Sequence, residues 1–143
     1  MNFINLVNGF RNLRVGDDVH IGHGTVLDLT ANVVIGAKTT ISPGVLILTH
    51  SDPGIDHQSA IAAVFPRKVK ATTIGESVWI GARSVILCGI KIDSQAVIGA
   101  GSVVTKDIPS KVLAQGIPAS IIRQLFFSQN KHPQDQEISR NQI

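Results

Sequence analysis

The chain has one cysteine and no tyrosine, and a single tryptophan and five phenylalanines bring aromatics to only 4% of its 143 residues. A lone cysteine, Cys88, excludes an intrachain disulfide and any cysteine-cluster zinc site. Its aliphatic neighbours make it a small buried hydrophobe rather than a nucleophile. Scarce aromatics argue against base stacking, and the nearest thing to a basic run, Arg67, Lys68 and Lys70, has no such aromatics interleaved with it. No apolar run reaches the roughly 18 residues of a bilayer-spanning helix, and the N-terminal stretch carries no signal-peptide hydrophobic block. These absences predict a cytoplasmic protein. Charged residues are few, at 16%, and the net charge of +3 suits a solvated basic surface or a polyphosphate-bearing ligand better than nucleic acid.

What the chain has in abundance is a six-residue beat. Ile74, Ile80, Ile86, Ile92, Ile98 and Val104 stand six apart, and the spacing recurs at Val15, Ile21 and Leu27, then at Leu29, Ile35, Ile41 and Ile47. Neither a helix of period 3.6 nor a long strand gives this spacing. A glycine often follows the aliphatic residue, as at Gly16, Gly36 and Gly81, where it is expected to allow a backbone conformation costly to other residues. The fifth position is small or β-branched, as in Thr25, Thr39, Val45, Val78, Ser84, Ala96 and Ser102, and Ile90 is the bulkier exception. Three hexads close one triangular turn, and stacked turns align the aliphatic residues into a core held by parallel strand pairing. The expected fold is all-β, a parallel β-helix of little more than three complete coils. So short a prism has a narrow core and broad faces, which favours a homo-oligomer.

Residues 1–125 are expected to form one domain. Residues 1–14 form a lead-in that caps the open end, with Phe3, Ile4, Leu6, Val7 and Phe10 available for packing. The register slips by two residues at a small corner insertion around Asp28 to Asn32. From about 48 to 73 the repeat stops, and a long loop of that kind is usually functional. Residues 119–125 have the composition of a short terminal helix, and the polar tail 126–143 is expected to fray.

Three segments carry a family resemblance: Val78-Trp79-Ile80-Gly81-Ala82, then Val97 through Gly99-Ala100-Gly101-Ser102 to Thr105-Lys106-Asp107-Ile108-Pro109, then Gly116-Ile117-Pro118-Ala119. Over about residues 15–125 the chain resembles the hexapeptide-repeat acyltransferases, in the branch of galactoside, maltose and bacterial polysaccharide O-acetyltransferases. The resemblance implies a left-handed β-helix, acetyl-CoA as cosubstrate, no required metal, and a homotrimer with sites between subunits. It also implies that His50, on the loop after the first repeat block, is the general base. An imidazole, with an ordinary pKa of about 6.5, suits taking a hydroxyl proton at neutral pH.

Something must hold the second imidazole nitrogen, and either Asp52 or a backbone carbonyl would serve. Relatives with His-Ser-His-Asp differ here, since this chain reads His50-Ser51-Asp52-Pro53. By the same resemblance, the backbone N–H of Ala82 stabilises the oxyanion, and backbone groups around Ala82 and Ala100 bind the pantetheine arm. Thr105 and Lys106 meet the phosphate-bearing part of CoA. Trp79 lines the cleft or anchors an interface. Ser120 stands where some relatives have a cation for the 3′-phosphate, and Arg123 is the nearest replacement.

His20 and His23 read as exposed structural residues, and His57 as loop decoration. The expected activity is acetyl transfer to a hydroxyl of a sugar or polysaccharide precursor. The alternatives are N-acetylation of an amino sugar or antibiotic, a zinc hydrolyase like the β-helical carbonic anhydrases, and a non-catalytic scaffold. Zinc chemistry needs three histidines and an open position, and no His-x4-His pair is present, His50 and His57 standing seven apart.

Overall fold

The computed structural model describes residues 5–7, 10–54 and 59–128. Short parallel strands wind into a three-sided prism. One face stacks Asn5–Val7, Val26–Asp28, Leu46–Ile47, Val85–Ile86 and Val103–Val104. The second stacks Leu13–Val15, Val33–Ile35, Thr72–Ile74 and Lys91–Ile92, extended by a bridge from Ile92 to Ile108. The third runs from His20–Ile21 through Thr40–Ile41, Trp79–Ile80 and Val97–Ile98 to Val112–Gly116. Each face thus has a fifth layer, more than the three complete coils expected from hexad counting.

Register gives the arithmetic of the winding. Trp79 pairs with Val97 and Val85 with Val103, 18 residues apart. Val26 pairs with Leu46 at a spacing of 20, the extra two residues being the corner at Asp28–Asn32. Thr72 pairs with Val33 at a spacing of 39, so one corner carries the whole loop. The first aliphatic positions Leu27, Ile35, Ile41, Ile47, Ile74, Ile80, Ile86, Ile92, Ile98 and Val104 are all buried in one contiguous core. The small fifth positions are buried too, because they sit where the chain turns inside the corner.

The role expected of the glycines changes. The left-handed backbone lies three residues after the aliphatic position, at Asp18, Lys38, Ser77, Arg83, Gln95 and Lys111 and at glycines such as Gly101. The glycine directly after the aliphatic residue answers to sterics between coils. A Cβ at Gly81 would stand 2.4 Å from the backbone nitrogen of Ala100 in the next coil.

The loop carries structure of its own, His50–Ser51 paired antiparallel with Lys68–Val69 and a short helix Ala60–Val64 whose N-cap Ser59 accepts from the Ala62 N–H at 3.0 Å. The repeat resumes at Thr72. Residues 119–125 do not form a helix, since Ala119–Gln124 is a strand folded back antiparallel on Val112–Gly116 through Gly116-Ile117-Pro118. Its β-branched Ile121 and Ile122 suit a strand, and pairing satisfies the outer edge of the last coil. Phe10 does not cap the core either; it is exposed. Phe3 and Ile4, the side chains of Leu6 and Val7, His57 and residues 129–143 lie outside what is described.

Candidate active site

The corner that follows the first face stacks Asp28–Thr30, Leu48–His50, Leu87–Gly89 and Thr105–Lys106 in successive coils. Asp28 is buried there, a carboxylate at a strand end. It is kept ionised by donors. Oδ1 accepts from the Thr30 N–H at 3.1 Å and the Thr30 hydroxyl at 2.7 Å. Oδ2 accepts from the N–H groups of Thr49 at 2.8 Å and His50 at 3.0 Å, and from His50 Nδ1 at 2.5 Å. Burial pushes the carboxyl pKa up, but the Thr30 hydroxyl, the Thr49 N–H, His50 and the Thr30 N–H outweigh it and hold the group well below the usual carboxylate range.

An ionised carboxylate only accepts, so Nδ1 of His50 carries a hydrogen and, in the neutral ring, Nε2 keeps the lone pair. The side chain is one-third exposed, at 34%. Thr49 braces the corner: its hydroxyl donates to the Asp28 carbonyl at 2.8 Å and accepts from the Ala31 N–H at 2.9 Å. The arrangement is a buried acid, an oriented imidazole and an open nitrogen, which is the wiring of a general base.

Asp52, the carboxylate suggested to orient His50, faces elsewhere. It pairs with Arg67 at 3.3 Å and accepts from the Gly54 N–H at 3.0 Å, closing its own turn. Asp28, Thr30 and Thr49 are the residues that sequence reasoning missed.

His50 opens onto a groove of about 250 Å³ lined also by Lys68, Leu87, Cys88, Gly89 and Thr105. The structure therefore brings Thr105 beside His50, with exposed Lys106 next to it in sequence. Trp79, Ala82 and Ala100 are not brought there. They belong to the third face and the corner after it. Trp79 is 44% exposed and donates from Nε1 to Ser42 Oγ at 3.1 Å, and the Ala82 carbonyl accepts from Gly101 N–H at 2.8 Å. Arg123 is exposed on the terminal strand opposite Leu113. Among the described residues no three His, Cys, Asp or Glu side chains converge as a metal site, and no helix is long and apolar enough to cross a membrane. His20 and His23 are exposed.

The family described as bacterial transferase hexapeptide (six repeats) matches residues 71–106. A maltose O-acetyltransferase from Clostridium difficile 630 superposes with a TM-score of 0.73 at 32% identity, over 87% of this chain and 68% of its own. The chain belongs to the hexapeptide-repeat transferase family. Its prism is that family's left-handed parallel β-helix. A hexapeptide-repeat acetyltransferase from Vibrio cholerae, complexed with acetyl coenzyme A, gives a TM-score of 0.75 at 30% identity over 87% of this chain and 66% of that one. The galactoside O-acetyltransferase of Escherichia coli K12 is 36% identical over 119 residues, 77% of this chain and 56% of its own length. This hexapeptide-repeat chain spans a little over half the length of the curated relatives it matches.

Proposed function

We propose that this protein transfers the acetyl group of acetyl-CoA directly to a hydroxyl of a saccharide or polysaccharide precursor in the cytoplasm, with His50 as general base. The observation that carries this reading is the 2.5 Å bond from His50 Nδ1 to buried Asp28, which leaves the lone pair of the neutral ring on Nε2 of a residue that lines the groove. Nε2 takes the proton of the acceptor hydroxyl as its oxygen attacks the thioester carbonyl carbon. The carbon–sulfur bond then breaks, the CoA sulfur takes the proton back from Nε2, and an acetyl ester and a free thiol remain. Asp28 stabilises the imidazolium that exists between the two proton transfers.

The named relatives act in acetyl transfer, and one is solved with acetyl coenzyme A, which supports the cosubstrate. Thr105 and Lys106 are assigned to its phosphate-bearing part, Lys as a point charge. Trp79 and the backbone around Ala82 and Ala100 are assigned to the pantetheine arm, the Ala82 N–H to the oxyanion, and Arg123 to the 3′-phosphate. Thr105 shares the corner of His50, whereas Trp79, Ala82 and Ala100 lie on the third face and the corner after it, so a homotrimer is the natural assembly. One subunit's first corner then faces its neighbour's third face, and each site is shared.

The test is an acceptor panel with acetyl-CoA, read by thiol release, comparing the parent with His50→Ala. Turnover should fall by about 10²-fold or more with the fold retained. Equal turnover would refute His50 as base, and no acceptor-dependent thiol release across saccharides would refute the activity.

A further inference from the structure

Beside the His50 groove lies a second, larger cavity of about 620 Å³, within the range of small-molecule sites. Ser51 and Lys68 line both, so the two adjoin. The floor of the larger one is apolar, made by Ile61, Val64 and Phe65 of the loop helix and its C-terminal end, and all three are exposed. Its rim is cationic. Lys68 stands opposite Ser51 in the short antiparallel pair, one residue along from His50. Arg67 is adjacent, and Asp52, the only acidic residue lining the cavity among the described residues, bonds to it at 3.3 Å. Lys70 lies two residues further, its stem packed over Gly89 of the catalytic groove: a Cβ at Gly89 would stand 2.6 Å from Lys70 Cδ.

None of the residues assigned to CoA lines this cavity. Arg67 and Lys68 belong to the loop that pairs with His50–Ser51, whereas Thr105 belongs to the coil stack, two coils up from Leu48. A cavity beside the base that holds none of the groups assigned to CoA is open to the acceptor. We infer that the acceptor is an anionic saccharide, one whose reactive hydroxyl belongs to a sugar bearing a carboxylate or phosphate, with Lys68 as the cation that meets this group. The apolar floor takes the C–H face of the ring, and Ser51 lies within reach of its hydroxyls. This rests on the acetyl-transfer reading above and narrows its substrate class. A cation facing an acidic group at a half-open site forms a charge-assisted contact, which both holds the sugar and fixes which hydroxyl faces Nε2.

The experiment compares a methyl hexuronide and a hexose 1-phosphate with the matching neutral methyl hexoside. Acetyl transfer is measured by thiol release for the parent, Lys68→Gln and Lys68→Arg, at low and high salt. Thermal melts report whether each variant is folded. The expected result is a kcat/KM about tenfold or more higher for an anionic acceptor than for the neutral one, shrinking with salt. Lys68→Gln should remove most of that advantage, chiefly through KM for the acceptor, and Lys68→Arg should restore part of it.

Equal use of charged and neutral acceptors by the parent overturns the inference. So does a Lys68→Gln variant that raises KM for acetyl-CoA rather than for the acceptor, which would give the cation to the CoA phosphates. Absence of transfer to all three acceptors refutes the acetyl-transfer reading with these sugars and moves the decision to binding. Amide NMR titrations of the parent with the hexuronide and the neutral hexoside then decide, equal shifts or none sinking the anionic subsite and hexuronide-selective shifts at 51 and 67–70 upholding it.

Discussion

Replacing Asp28 by asparagine separates the charge of the buried acid from its shape. The carboxylate takes five donors, three on Oδ2 (the N–H groups of Thr49 and His50 and the imidazole Nδ1) and two on Oδ1, both from Thr30. An amide has one oxygen, and it will occupy the Oδ2 position, where three donors that cannot rotate away are waiting. Its NH2 then faces Thr30, whose hydroxyl can turn to accept, while the half-buried bond from the Thr30 N–H to Oδ1 is lost. Loss of that bond and of the charge-assisted ones costs roughly 2–4 kcal/mol in total.

The imidazole keeps its tautomer but loses the negative charge that stabilises it once protonated. At an effective dielectric of 20, opposite charges about 4 Å apart interact by about 4 kcal/mol, and the one-third exposure of His50 reduces this to about half. A fall in kcat of about 30- to 1000-fold follows. Acid should expose the same group in equilibrium unfolding. Its folded pKa is held below the ordinary carboxylate value, so its stabilisation is complete above about pH 4 and is lost as pH falls below that. The stability gap between parent and Asp28→Asn, measured by urea unfolding, should therefore be full at pH 7 and narrower at pH 3. A folded Asp28→Asn protein with kcat within about threefold of the parent would refute the dyad, because no other described acid bonds His50.

The two kinds of glycine should respond differently to alanine. Gly81→Ala forces a Cβ to 2.4 Å from the Ala100 nitrogen and must push coils apart, costing about 3 kcal/mol or more, whereas Gly101→Ala meets nothing within 4 Å and should cost about 1 kcal/mol for its φ of +69°. Equal losses in a chemical denaturation series would contradict the steric reading. Ile86→Ala, at the centre of the core, should destabilise by about 2–5 kcal/mol by opening a cavity between coils. Sedimentation should give a mass three times that of the 15.2 kDa chain, and a monomer that still transfers acetyl groups would remove the case for a shared site.

The parts of this molecule that were legible in the sequence are those whose partners recur at a fixed spacing. An aliphatic residue every six positions predicts the buried rows from Leu27 to Val104 because each packs on its counterpart one coil away, and the interruption after Ile47 announces the loop that presents His50. The terminal strand was illegible for the opposite reason. Ala119–Gln124 has no periodicity of its own, and its state is decided by the unpaired edge of Val112–Gly116 rather than by composition.

Asp28 falls between these cases. A search for the partner of His50 near in sequence finds Asp52, yet neighbours in a β-helix are one coil away. The slip of two residues between Leu27 and Leu29 lengthens that coil from 18 to 20, so Val26 lies under Leu46 and Asp28 under Leu48. A charged residue directly after an inward leucine, one lengthened coil below the corner of His50, had no solvent to face and had to be paired. The insertion that reads as an irregularity of the repeat carries the buried acid's partner. The corner from Asp28 to Asn32 holds Thr30, and Thr30 supplies two of the five donors that keep the acid charged.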